Sequence, residues 1–261
     1  MRTRFWEADK SGHLSNGAVE ELQPEVSPLV DEAKAIFLPV INSDACLLLR
    51  GSMSIGLAVL PFSDMDLILF CTKEVLGARI KEWNQRHEDL SERLRGRIDL
   101  VDLQVVPLDV PGRQLDRCLL QASLQSIRLC GTLSVPLGPV LLNNSLYETM
   151  WSDVIAGSRA ICVDLRRDGQ IQWAGTPRGP NFWCRWVIRD VLRMLSGRIS
   201  LRTGVYTSHL DSCAKLISDY APDLAVTVRF LRSAEMFPPT NLEDSIANIE
   251  AAIRISEESG F

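Results

Sequence analysis

Residues 47–70 read LLLRGSMSIGLAVLPFSDMDLILF, and the reading of this stretch decides the rest of the chain. It begins inside a continuous apolar run, residues 45–49, which is short enough for a strand buried on both faces and ends at Gly51-Ser52. The strand thus delivers a glycine and a hydroxyl to a turn. After an irregular segment holding Gly56 and Pro61, the sequence becomes apolar again with Asp64 and Asp66 set into it. The two-residue period of a strand places both carboxylates on one face and turns Met65 and Leu67 the other way, into a core.

Neighbouring carboxylates repel each other and lose hydration unless a cation neutralises them. Mg²⁺ suits this role, because it takes one or two protein carboxylates and fills its other octahedral positions with water and substrate phosphates. The Gly-Ser turn supplies the complementary need. Glycine lets the backbone approach a phosphate, and backbone N–H groups with the Ser52 hydroxyl donate to its oxygens. The residue types predict a triphosphate and metal site, with Arg50, immediately before Gly51, as a further nucleotide contact.

The order Gly51-Ser52, eleven intervening residues and Asp64-Met65-Asp66 resembles the signature of the nucleotidyltransferase (polymerase beta-like) superfamily, and Gly56, Ser63 and the tail LILF fit it as well. This resemblance implies two Mg²⁺ ions, ATP or another NTP as co-substrate, and in-line transfer of a nucleoside monophosphate to a hydroxyl with release of pyrophosphate. A third carboxylate is required, and RIDLVDLQVV, residues 97–106, offers Asp99 and Asp102. Were Asp99 to face the metals, Asp102 would lie mid-strand on the helix-covered face as a buried charge without a partner. Asp102 is the preferred ligand. The resemblance itself divides here: VDLQVV followed by a proline-containing loop is similar to aminoglycoside adenylyltransferases, whereas DLVDL is similar to the minimal nucleotidyltransferases of toxin-antitoxin pairs and would select Asp99.

The chain has 261 residues, 46% of them hydrophobic, enough for one large or two modest domains. A net charge of −5 argues against a dedicated nucleic-acid surface. The N-terminal MRTRFWEADK has no apolar h-region and no run approaches the length of a membrane span, so a soluble cytoplasmic protein is expected. Seven scattered cysteines without a Cys-x-x-Cys pair read as reduced core residues, and His13, His87 and His209 are too dispersed to suggest zinc.

The expected architecture is α+β: a mixed β-sheet domain of nucleotidyltransferase fold flanked by helices over residues 1–140, with 1–25 a loose arm, then an α-helical bundle over 141–261. Ser27 is read as an N-cap with Pro28 opening the first helix, whose apolar stripe is Val30, Ala33, Phe37 and Leu38. A charged amphipathic helix covers 73–94, in which Glu82, His87 and Glu88 are read as surface residues, and a further helical pattern covers 114–129. Beyond residue 140, helical patterns fall over 146–161, 182–195, 209–220, 222–236 and 241–259.

The run RDVLRMLSGRISLRTGVYTSHLDSCAKL is similar to the helical C-terminal domain of streptomycin and spectinomycin adenylyltransferases, in which a glycine-containing turn joins two helices. This chain has Leu201-Arg202 where those enzymes have a lysine after the serine of the turn. Arg185, Arg189 and Arg193 share one helical face and Arg198 follows; Arg189 and Arg193 are the preferred contacts to the nucleotide phosphates, and Trp183 or Trp186 a surface for its base. The reading is therefore AMP transfer from ATP to a hydroxyl of a small molecule, an aminoglycoside-like compound fitting best. A protein- or tRNA-modifying antitoxin-type enzyme and a catalytically silent nucleotide-binding module are the alternatives, and oligomeric state is left open.

Overall fold

The computed structural model describes residues 4–41, 43–173 and 176–258. Two compact units emerge, one formed by His13–Leu141 and the other by the described parts of Met1–Gly12 and Leu142–Phe261.

In the first unit the central element is a four-stranded mixed sheet built from β1 (Ala45–Arg50), β2 (Met65–Cys71), β3 (Val101–Pro107) and β4 (Ile127–Gly131), in the order β3-β2-β1-β4. Strand β1 runs antiparallel to both neighbours, and β2 and β3 are parallel. A parallel pair needs a crossover, and helix α2 (Lys73–Leu94) supplies it. Its start is fixed by Thr72, whose Oγ1 accepts the Val75 N–H at 3.3 Å. Helix α1 (Ser27–Phe37) precedes β1, and α3 (Arg113–Gln125) leads into β4.

Strand alternation divides the apolar residues between two faces. Leu47, Leu49, Met65, Leu67 and Leu69 pack with Val30 and Phe37 of α1 and Trp83, Leu90 and Leu94 of α2. On the opposite face, Cys46, Leu48, Ile68, Phe70 and Val106 pack with Cys118 and Ala122 of α3. Met65 and Leu67 thus enter a core as their parity with Asp66 required. The first helix differs in detail: Ser27 is its first residue, Val26 precedes it without a side-chain cap, and Leu38 is exposed, so the buried stripe is Leu29, Val30, Ala33, Ile36 and Phe37.

Strand β4 occupies residues that read as the end of a helix. Helix α3 stops at Gln125, and Ile127–Gly131 pairs with β1 through a register shift between Leu47 and Leu48. An alternation with Arg128 exposed at the sheet edge and Leu129 packed inward is too short to be distinguished from one helical turn by periodicity.

The second unit is helical: α4 (Asn144–Trp151), α5 (Val154–Asp168), α6 (Pro180–Thr203), α7 (Leu210–Tyr220), α8 (Ala225–Met236) and α9 (Leu242–Glu258). Ser259, the expected end of the last helix, lies outside the described residues. Residues 152–153 break the expected single helix of 146–161 in two. Residues 4–12, expected as part of a loose arm, group with these helices. Trp6–Glu7 forms a strand pair with Val205–Tyr206, and Arg4 is tied down on both sides, its N–H donating to Ser212 Oγ and its carbonyl accepting from Thr207 Oγ1, each at 2.8 Å.

The helix expected over 182–195 is longer than that span and passes through Gly197. Helix α6 runs through it without interruption, and the missing side chain serves packing: a Cβ there would lie 2.5 Å from the Trp151 ring. Helix propensity favours alanine over glycine by about 1 kcal/mol, but overpacking of a close helix contact costs about 1–3 kcal/mol. Gly197→Ala is therefore expected to lower the melting temperature, and Trp151→Leu in the same chain to recover part of the loss; a Gly197→Ala protein that melts higher than wild type would contradict the contact.

Candidate active site

Three side chains meet at one end of the sheet because the register brings them there. Arg50 closes β1 opposite Asp66 of β2, and Asp66 pairs in turn with Asp102 of β3. By parity all three share the face of Leu48, Ile68 and Val106, beyond the apolar cluster that α3 covers. Arg50 Nη2 stands 3.7 Å from Asp66 Oδ1 and 3.6 Å from Asp102 Oδ2, with the side chains 13%, 26% and 17% exposed respectively. One guanidinium therefore serves two carboxylates.

The local electrostatics are those of an incompletely neutralised pair. Burial pushes the Asp102 carboxyl pKa up and the neighbouring Asp66 charge adds to this, while the charges of Arg50 and His87 and a hydrogen bond with Gln104 draw it partly back. The net direction is upward. His87, expected on the solvated face of α2, is instead half-buried with Nε2 2.9 Å from the Val101 carbonyl, one residue from Asp102. The sequence carries a weak signal for this: His87 lies one helical turn from both Trp83 and Leu90, which are buried on the same helix.

Gly51 follows Arg50 with φ of +76° and opens a single helical turn, Gly51–Ser54. A Cβ at Gly51 would lie 2.1 Å from Asp66 Oδ2, so the carboxylate and the backbone of the turn are in direct contact. Both the dihedral and the close approach demand glycine. The turn is fastened from below by Ser54, fully buried, whose Oγ lies 2.9 Å from the Gly51 carbonyl and 2.8 Å from that of Gln125 at the end of α3. Ser52 is part of the same turn, its carbonyl accepting the Leu57 N–H at 2.9 Å.

Asp64 lies just ahead of β2, half-buried, and two residues from Asp66. Asp99 is exposed before β3 begins, its N–H 3.3 Å from the Ser63 carbonyl. The structure thus brings Asp102, rather than Asp99, into register with Asp66. Among the described residues no group of three or more His, Cys, Asp or Glu is gathered to hold a metal ion. At Asp66 and Asp102 the counter-charge is Arg50. The donor set nonetheless fits a hard divalent cation: carboxylate oxygens only, two in register and a third two residues away, with a raised carboxyl pKa that more positive charge would lower.

The arginines of α6 have other partners. Arg185 Nε and Arg189 Nε lie 3.2 and 2.8 Å from Glu235 Oε1 of α8, and Arg232 pairs with Glu235 and, at 2.6 Å, with Asp211. Arg193 Nε donates to the Ser208 carbonyl at 3.2 Å and its Nη1 is 3.6 Å from Asp190. Arg198 Nε donates to the Tyr147 hydroxyl at 2.7 Å. Sequence reasoning missed Glu235, although three arginines on one helical face ask for an anion. Trp183 is buried, edge-on to Trp173 and Trp186, and Trp186 is half-buried in the same aromatic group.

No family model and no curated protein matches the sequence. Among solved structures, the chain is similar to a spectinomycin adenyltransferase from Enterococcus faecialis in a crystal structure with ATP and spectinomycin. The TM-score is 0.54 at 13% identity, over 89% of this chain and 99% of that one. The chain therefore shares the fold of that adenyltransferase.

Two outcomes follow from this geometry. Gly51→Ala is expected to displace the Asp66 carboxylate and to lower thermal stability by a few kcal/mol, from the strained φ together with the clash; unchanged stability would show that the close approach is not maintained. Glu235 is buried, which raises its pKa, but Arg189, Arg232 and Arg185 lower it further, to a net value below the usual 4.5. Its pairing thus stabilises the fold above the ordinary glutamate range and is lost as the pH falls through the lowered value. Glu235→Gln should cost about 3–5 kcal/mol at neutral pH, and chemical denaturation should find the gap to wild type closing below pH 4.5. A gap that is constant with pH would contradict the charge pairing.

Proposed function

We propose that the protein transfers a nucleoside monophosphate, AMP from ATP, to a hydroxyl of a small polyhydroxylated molecule of aminoglycoside-like chemistry, in an Mg²⁺-dependent reaction that releases pyrophosphate. The observation that carries this reading is the pairing of Asp66 with Asp102 in register, against the bare backbone of Gly51. The shared fold supports it, since the similar adenyltransferase was solved with ATP and spectinomycin.

Asp64, Asp66 and Asp102 would hold Mg²⁺, which supplies charge neutralisation of the phosphates and of the attacking oxygen. The backbone of Gly51 and the Ser52 hydroxyl donate to phosphate oxygens and fix the direction of the α-phosphorus. Asp102 also suits a general base, because burial and then the neighbouring Asp66 charge push its carboxyl pKa up. It accepts the proton of the acceptor hydroxyl as the oxygen bonds to the α-phosphorus and the bond to the pyrophosphate oxygen breaks. Arg189 is a weaker nucleotide contact than its sequence position suggests, given its bond to Glu235; Arg193 is the arginine of that helix proposed to touch the nucleotide.

The test is pyrophosphate release from each NTP with Mg²⁺ against a panel of aminoglycosides and other polyhydroxylated molecules. Release that needs one acceptor and is lost in Asp64→Asn and Asp66→Asn is the expected result. Asp102→Asn should lower turnover by at least about a hundredfold, while Asp99→Asn keeps most of it. Turnover that survives Asp102→Asn and vanishes with Asp99→Asn would move the third carboxylate to Asp99.

A further inference from the structure

The geometry points to Arg50 as a resident counter-ion that holds the Asp66–Asp102 pair together in the ligand-free protein and moves to the nucleotide phosphates when a divalent cation takes those carboxylates. This inference rests on the nucleotidyl-transfer reading above and names the residue through which metal and nucleotide binding are coupled.

Three observations carry it. The first is distance: Arg50 Nη2 is 3.7 and 3.6 Å from the two carboxylate oxygens. Arginine forks that are hydrogen-bonded to a carboxylate sit about 2.7–2.9 Å away, so Arg50 is held here by charge and not by directed bonds. The second is the other end of the guanidinium, where Arg50 Nε is buried with no hydrogen-bond partner among the described residues. An unmatched buried donor is costly, and persists where a site awaits an acceptor. Phosphate oxygens are acceptors of the right kind, and the Gly51 turn adjoins Arg50 in the chain.

The third is charge balance. Asp66 and Asp102 share the single charge of Arg50, and Asp64 lies two residues from Asp66, so the site carries more negative than positive charge. A divalent ion added alone would be crowded against a half-buried guanidinium. A triphosphate added alone would bring its negative charges beside unneutralised carboxylates. Arriving together, the ion takes the carboxylates and Arg50 Nε and Nη2 gain phosphate acceptors, so the repulsion that each would meet alone is relieved. Metal and nucleotide are thus required to bind cooperatively, by an exchange of partners at one side chain.

Mn²⁺ binding measured by titration calorimetry, with and without a non-hydrolysable ATP analogue, tests this without reference to turnover. Wild type should bind Mn²⁺ alone weakly and gain strongly from the analogue. Arg50→Met should bind Mn²⁺ alone at least about tenfold more tightly, because its competitor has gone, and the further gain from the analogue should shrink. Equal or weaker Mn²⁺ binding by Arg50→Met, with wild type still binding Mn²⁺ and the analogue together, overturns the role of Arg50 and leaves the nucleotidyl-transfer reading standing. Absence of Mn²⁺ binding in both proteins, analogue present or not, overturns both. Should Arg50→Met fail to fold, Arg50→Met/Asp66→Asn removes the repulsion that Arg50 screens and is expected to melt near wild type; a double variant that also fails to fold assigns Arg50 an ordinary structural role and overturns the inference.

Discussion

Two carboxylates in register on neighbouring parallel strands are the constraint from which the architecture of the first unit follows. Strand spacing alone holds their backbones about 4.8 Å apart, so the pair exists only where a cation is provided. Arg50 provides it because the antiparallel pairing of β1 and β2 sets position 50 against position 66. The next residue must then be glycine, since the Asp66 carboxylate fills the volume its side chain would need. Position 51 is thus fixed by the carboxylate as much as by the turn, and a phosphate approaching the turn meets bare backbone beside the negative pair.

The remainder of the sheet holds this arrangement in place. Side chains two and four positions along β1 and β2 from the charged end, with Val106 of β3, belong to the cluster covered by α3, and the alternate set belongs to the cluster covered by α1 and α2. A slip of one residue in any strand would exchange a buried leucine or isoleucine for an arginine or aspartate in a dry layer, at a cost of several kcal/mol for the charge. Register is therefore enforced by the apolar residues, and the site inherits its precision from them. Ser54 adds a pin on the remaining side, linking the turn to the end of α3.

This explains which parts could be read from the sequence. The strand before Gly51, the position of Asp66 and the face of Asp102 are written in local period-two patterns with strong apolar contrast, and period reasoning recovers them, whereas Asp64 lies just ahead of the strand that was expected to contain it. Strand β4 was not legible, because its identity comes from pairing with β1 at an edge and not from its own five residues. The continuation of α6 past residue 195 was not legible either: glycine at 197 interrupts the local helical pattern, and only the distant Trp151 reveals that its empty volume is used by a neighbour. The arginines of α6 were correctly placed on one face, but a helical face says nothing about its partner. Glu235 lies 46 residues from Arg189 in the chain and is joined to it only by the fold.

That partner matters for how a chain of net charge −5 would receive a polyanion. Arg185, Arg189 and Arg232 converge on one buried carboxylate with 4% of its side chain exposed, and Arg232 reaches Asp211 besides. Charges spent on internal pairs are worth little to a ligand, because withdrawing one strands a buried Glu235. The first unit offers the opposite arrangement at Arg50, whose charge is shared between two acceptors at ion-pair distance and whose Nε has none among the described residues. Of the arginines discussed, Arg50 is the one whose present partners can be taken over by an incoming ion without leaving a buried charge unpaired. On the proposed reading, positive charge at the carboxylate end of the sheet would come from divalent ions that travel with the nucleotide and from this guanidinium, with the glycine turn contributing dipoles that need no counter-charge at all.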